Sequence, residues 1–232
     1  FDDEHRIVLT KIQTWLIYNW NHWDIRTQIF QNFIIYLGVV AVLLWVLKKC
    51  NVQSVPALLI GALFLFSTRA SENHSWGFQS QFHFVLLFCF CSCAALIDDK
   101  LSWPRLLAGA LFSVLAIYSF SSGVPMVVAI GLVFSVFILY GRLQLQRPKN
   151  ELMMMLTYWV IVGLSLAIYF SFDYQKINGH PQFVYPNETI FWKYFVTLVA
   201  NGFGDFGASI IPGLICLALI LLPLISIAYR QY

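Results

Sequence analysis

Apolar residues fall in long blocks along this chain, separated by short polar breaks. The blocks run approximately over Phe33–Leu47, Val55–Thr68, Phe82–Ile97, Leu106–Phe120, Val124–Gly141, Leu152–Ser171 and Phe206–Ala228. A helix rising about 1.5 Å per residue needs about 17–25 residues to cross the hydrocarbon core of a bilayer. With a few flanking residues added, each block reaches that length. The pattern therefore predicts an all-α, polytopic transmembrane helical bundle with about seven spans in residues 1–232.

Two other stretches have helical spacing without the length to span. In "RIVLTKIQTWLIYNWNHWD", Val8, Ile12, Trp15, Leu16, Trp20 and Trp23 recur on one face. That spacing predicts an amphipathic helix lying in the membrane interface, with tryptophans at headgroup depth. The plainer alternative is a surface helix packed on another domain. The second stretch is Ile190–Ala200, "IFWKYFVTLVA", which carries Lys193. It reads as an interfacial or re-entrant helix stopped by "NGFG" at Asn201–Gly204.

Composition agrees with a lipid solvent. Of 232 residues, 59% are hydrophobic and 11% charged, against about a quarter charged in soluble domains. The net charge of +3 is scattered and gives no footprint for nucleic acid. The first residue is Phe1 and no basic start precedes an apolar core, so the sequence reads as an internal piece of a longer chain.

Charge also gives the blocks a sidedness. Lys48, Lys49, Lys100, Arg105, Arg142, Arg147, Lys149 and Arg230 fall in the breaks on one side and hold eight of the fourteen Lys and Arg. The positive-inside rule puts that side in the cytoplasm. Residues 1–32, 69–79, 121–123 and 172–205 then face out, carrying eight of the eleven acids. The two large outer segments, 1–32 and 172–205, each hold one of the short helices. Inner turns are tight, so function is expected outside.

Candidate chemistry is concentrated there. "FDDEHR" holds Asp2, Asp3, Glu4, His5 and Arg6, able to act as base, metal ligands or an anion site. A solvated charge run capping the next helix is the alternative. "SENHSWGFQSQFHF" supplies Glu72, His74, Trp76, Gln79, Gln81 and His83 at a membrane edge, where polar groups tend to face a protein interior or a wet cavity. Trp76 could stack on a sugar or anchor the interface. Ser121–Gly123 lacks a nucleophile elbow and reads as a turn. Cys89, Cys91 and Cys93 point about 200° apart in succession on a helix, which makes them small apolar filler. Asn73 and Asn187 begin glycosylation sequons, but with nine asparagines in the chain about one match is expected by chance, so they carry little weight.

The succession "DDEHR", an amphipathic helix, "ENHSWGFQSQF", "FSSGV" and "FVTLVANGFG" resembles a group of uncharacterised bacterial multi-span membrane proteins with a "WENLLWGFQ-QF"-like loop. These resemble the GT-C glycosyltransferase superfamily, which includes protein mannosyltransferases and aminoarabinose transferases. Here His74 and Ser75 stand where the group has two leucines. The resemblance covers most of the chain. It implies a bacterial inner (cytoplasmic) membrane location and a polyprenyl-phosphate-linked sugar donor. It also implies an extracytoplasmic acceptor, a catalytic carboxylate in the first outer loop, and a span upstream of Phe1.

On that reading Asp3 or Glu4 is the base, with Asp2 less favoured. His5, Arg6 and His74 stabilise the departing phosphate, and Glu72, Trp76, Gln79 and Gln81 hold the sugar. No cofactor is certain; a divalent metal, if one assists, would use Asp3 and Glu4, though hard cations want more oxygen ligands. The rival reading is a transporter or flippase of a lipid-linked or polar substrate. A membrane acyltransferase using His74 or His83, and a scaffold, fit less of the pattern.

Overall fold

A computed structural model describes residues 6–49, 76, 79–97, 101–145, 150–171, 184–203, 209–215 and 217–218. Among them the chain is helical and contains no strand. The helices are α1 (Val8–Asn21), α2 (Ile25–Lys49), α3 (Ser80–Leu96), α4 (Trp103–Ile117), α5 (Gly123–Leu145), α6 (Asn150–Ser171) and α7 (Thr189–Phe203). Contacts divide these into two units, one with α1–α6 and one with α7 and the short helical stretch 210–215.

Three helical segments are long and apolar enough to cross a membrane: Ile25–Lys49, Gly123–Tyr140 and Asn150–Ser171. Ser80–Leu96 and Trp103–Ile117 are apolar but shorter. Five of the seven apolar runs thus coincide with helices. Val55–Thr68 lies outside the described residues, as does Phe206–Ala228 apart from residues 209–215 and 217–218.

Unit one is built around α3, which buries residues on several sides, from Ser80 and His83 to Cys89, Ser92 and Leu96. It runs antiparallel to α4: Phe82 meets Phe120 at 4.7 Å, and the Ser92 hydroxyl donates to the Gly109 carbonyl at 3.0 Å. Gly109 permits this closeness, since a Cβ there would stand 2.7 Å from Leu96 Cγ. Small residues at such a seam are how helices approach where lipid removes the hydrophobic driving force. On its other side α3 runs parallel to α2. Tyr36 faces His83 with ring centroids 5.5 Å apart, and Lys49 Nζ donates to the Ala94 carbonyl at 2.9 Å. The latter places a cation at the negative C-terminal end of α3.

α6 completes the layer, presenting Met154, Tyr158, Val162, Ser165 and Tyr169 as one buried stripe. Ser92, Ser113 and Tyr158 join α3, α4 and α6 through hydroxyl contacts of 2.9 Å each. Cys89 packs in the apolar core with Val85, Leu106 and Val162, as filler would.

The α1–α2 corner is strained and deliberately held. His22 and Trp23 both have left-handed backbones, φ 56° and 65°, at a cost of roughly 1–2 kcal/mol per non-glycine residue. Asp24 then caps α2, its Oδ1 accepting from the Arg26 N–H at 3.0 Å. Trp23 Nε1 donates to Gln28 Oε1 at 3.1 Å and Asn21 Nδ2 to Thr27 Oγ1 at 2.8 Å. α2 begins at Ile25, before the apolar run at Phe33, because Gln28 and Asn32 in its first turns are buried by partners rather than left to solvent.

In the second unit, α7 starts after a reciprocal turn in which the Tyr185 N–H donates to Glu188 Oε1 and the Glu188 N–H to the Tyr185 carbonyl. Its 15 residues amount to about 22 Å, short of a hydrocarbon core of about 30 Å. The helix continues through Asn201–Phe203, past the first residues of "NGFG". Gly213 of residues 210–215 packs so closely on α7 that a Cβ would overlap the Val196 carbonyl.

Candidate functional site

One end of unit one collects the start of α1, the first turns of α2, the start of α3, the end of α4 and the end of α6. The joints there are polar. α1 has no side-chain N-cap; instead its Val8 N–H donates to the Tyr118 carbonyl at 3.0 Å, just beyond α4. Ser80 Oγ at the start of α3 donates to Thr10 Oγ1 on α1 at 2.9 Å, with both residues buried. Asn32 Nδ2 on α2 donates to the Trp76 carbonyl at 3.2 Å, and the same carbonyl accepts from the Gln79 N–H at 3.1 Å. Gln28 Nε2 donates to Thr14 Oγ1 at 3.0 Å.

These bonds bring the segment carrying Arg6 against the segment carrying Trp76, Gln79 and Gln81. Arg6 is half-buried, with its guanidinium 5.3 Å from the centre of the Tyr169 ring on α6, a cation–π distance. Tyr118 packs on Tyr169 at 5.9 Å and donates its hydroxyl to the Ser165 carbonyl at 3.2 Å. Arg6 Nε is buried without a hydrogen-bond partner among the described residues, as are Gln79 Oε1, Gln81 Oε1 and Ser165 Oγ. Each such atom costs about 1–3 kcal/mol when left unmatched. The Trp76 side chain is exposed while its backbone is anchored. His83 is buried one turn further along α3 against Tyr36.

Asp2, Asp3, Glu4, His5, Glu72 and His74 lie outside the described residues. The carboxylates and two histidines of the expected site are therefore known from sequence alone. Among the described residues no three His, Cys, Asp or Glu side chains gather as a metal site. Ser121 and Ser122 form the turn expected of "SSG": the Gly123 N–H donates to the Phe120 carbonyl at 2.9 Å, and a Cβ on Gly123 would overlap the Ala116 carbonyl.

Sequence reasoning passed over Thr10, Gln28, Asn32, Tyr118 and Tyr169. A signal was present on α2, where Gln28, Asn32, Tyr36 and Val39 recur at three- to four-residue intervals and all are buried. In a lipid-solvated helix a polar stripe marks the inward face.

Chemically, this end of the bundle offers a cation on an aromatic shelf, unmatched buried amide carbonyls and an exposed indole. Carbonyl acceptors suit sugar hydroxyls, and a guanidinium suits a phosphate. Comparison with protein families, with characterised proteins and with solved structures gives no match to this chain, so its reading rests on its own residues.

Proposed function

We propose that the chain belongs to an integral-membrane glycosyltransferase that moves a sugar from a polyprenyl-phosphate donor to an extracytoplasmic acceptor. The observation that carries the reading is the Thr10–Ser80 hydrogen bond. It joins the segment that starts at Arg6 to the segment that supplies Gln79 and Gln81, residues far apart in sequence. Arg6 on Tyr169 and the unmatched Gln79 and Gln81 carbonyls are the groups such a substrate would satisfy.

In this reading Asp3 or Glu4 removes the acceptor hydroxyl's proton as its oxygen attacks the anomeric carbon. The bond from that carbon to the phosphate oxygen breaks, and the electron pair leaves with the lipid phosphate. Arg6, with His5 and His74, stabilises that charge. Gln79, Gln81 and Glu72 orient sugar hydroxyls, and Trp76 offers its face to the ring. The acceptor binds from outside, opposite the end where Lys48, Lys49 and Arg105 stand.

Incubating the full-length protein with labelled polyprenyl-phosphate sugars tests the reaction. Transfer should fall at least about a hundredfold in Asp3→Asn or Glu4→Gln, the lower range for loss of a general base. Parent rates in both variants would remove the assignment, and no transfer from any donor would remove the function. A second reading, transport or flipping of a lipid-linked substrate, is favoured by His83, an ionisable group buried in an apolar helix. Substrate movement across a vesicle membrane without sugar transfer, abolished in His83→Leu, would select it.

A further inference from the structure

α1 is held to the bundle by hydrogen bonds more than by packing. The residues it buries are Thr10, Gln13 and Ile17, so one apolar side chain is sealed where α6 seals Met154, Tyr158, Val162 and Tyr169. Its docking bonds are the Val8 N–H to the Tyr118 carbonyl, Ser80 Oγ to Thr10, Gln28 Nε2 to Thr14, and Gln13 Nε2 to Gln31. Water and headgroups can replace each of these, so each adds little net stability. The apolar face, with Ile12, Trp15, Leu16 and Trp20, is exposed on the outer side. It loses nothing if the helix leaves the bundle for the membrane interface.

Two features of the docked helix favour leaving. Arg6 Nε and Gln13 Oε1 are buried with no hydrogen-bond partner among the described residues. Both are closed to water and to any ligand while α1 is docked, and lifting the helix removes that cost. The second feature is the corner to α2, where His22 and Trp23 take left-handed backbones, φ 56° and 65°. Such strain persists only where the surroundings over-determine it, here through docking and the Trp23–Gln28 and Asn21–Thr27 bonds. Few buried apolar contacts along a helix and a strained joint at its end mark a segment that opens before the core does.

We propose that α1 is a lid hinged at His22–Trp23. Docked, it holds Arg6 over Tyr169; lifted, it lies in the interface on its tryptophan face and takes Arg6 with it. The 14 residues of α1 reach about 21 Å from the hinge, so a turn of about 20° carries Arg6 about 7 Å. That displacement breaks the contact with the ring. On the glycosyltransferase reading, closing brings Arg6 to the departing phosphate and opening admits the donor; the motion itself does not rest on that reading.

The test uses the full-length protein in phosphatidylcholine nanodiscs carrying Ile17→Cys, a position only 1% exposed when the lid is closed. The substitution leaves the docking bonds in place. A water-soluble maleimide is added and its attachment is followed site by site by peptide mass spectrometry, with the buried native Cys89 reporting any opening of the core. Label at position 17 is expected at least about tenfold faster than at Cys89, as local opening would give. Adding Ser80→Ala, which removes the bond to Thr10, should speed it about fivefold, the effect of one net hydrogen bond, and leave Cys89 unchanged. Adding His22→Gly, which takes a left-handed backbone without strain, should slow it about threefold, and provides the test if Ser80→Ala fails to fold. Label at position 17 no faster than at Cys89 would overturn the lid. So would equal rates with and without Ser80→Ala, or faster label with His22→Gly. The measurement needs no sugar donor, so a protein that opens in this way yet transfers no sugar would remove the reaction and keep the lid.

Discussion

At the scale of single residues, the bundle depends on close approaches that lipid cannot provide by itself. Gly123 and Gly163 give opposite expectations. A Cβ at Gly123 would overlap the Ala116 carbonyl, whereas one at Gly163 meets nothing within 4 Å. Gly123→Ala should lower stability by about 1–3 kcal/mol, the usual cost of overpacking. Gly163→Ala, in mid-helix α6, should be neutral or stabilising by up to about 1 kcal/mol. Unfolding in mixed detergent micelles measures both, and equal effects would show that the α4–α5 turn is looser than described. The Ser92–Ser113–Tyr158 chain makes a smaller claim. Tyr158→Phe removes one partner of Ser113, which keeps Ser92, so the loss should be about 0.6 kcal/mol. At the candidate site, Tyr169→Leu should weaken Arg6-dependent substrate binding more than Tyr169→Phe, which keeps the ring beneath the guanidinium; equal effects in a binding titration would deny the shelf its role.

At the scale of an element, α1 reverses the arrangement of a helix on a soluble protein. Its buried residues are Thr10, Gln13 and Ile17, while Trp15 and Trp20 are 63% and 76% exposed. The face that the sequence marks as greasy points away from the bundle, and the polar face makes the joints. Trp15 and Trp20 should accordingly be quenched by lipids brominated near the headgroup in reconstituted protein. Quenching by aqueous iodide instead would return α1 to the plainer reading of a surface helix. Helix positions were legible because runs such as Leu152–Ser171 follow directly from lipid solvation, and α6 matches that run within two residues. The joints were not legible, because Ser80 meets Thr10 only through the docking of α1 on α3. Nothing local in "LTKIQ" states that its threonine has a partner seventy positions away. The stripe Gln28, Asn32, Tyr36 could have been read as inward-facing, and reading Phe33 as the start of the span hid it.

At the scale of the whole molecule, the proposed topology sets the two ends of unit one on opposite sides of the membrane. Lys48, Lys49 and Arg105 stand at the end where α2 stops and α4 starts, and Arg6 stands at the other. Cysteines substituted for Lys48 and Ser122 should therefore react from opposite sides of an intact membrane, Ser122 from outside. Labelling of both from one side would invert or dismantle the proposed topology. The Val8–Tyr118 hydrogen bond has a further consequence, one of timing. The carbonyl that caps α1 belongs to a residue synthesised only after α2, α3 and α4, and Tyr118 is in turn held by α6 through Ser165. α1 emerges from the ribosome before any of these yet cannot dock until they are in place. On the interfacial reading of α1, it waits at the membrane surface during biogenesis with Thr10 and Gln13 still hydrated, held there by its exposed tryptophan face.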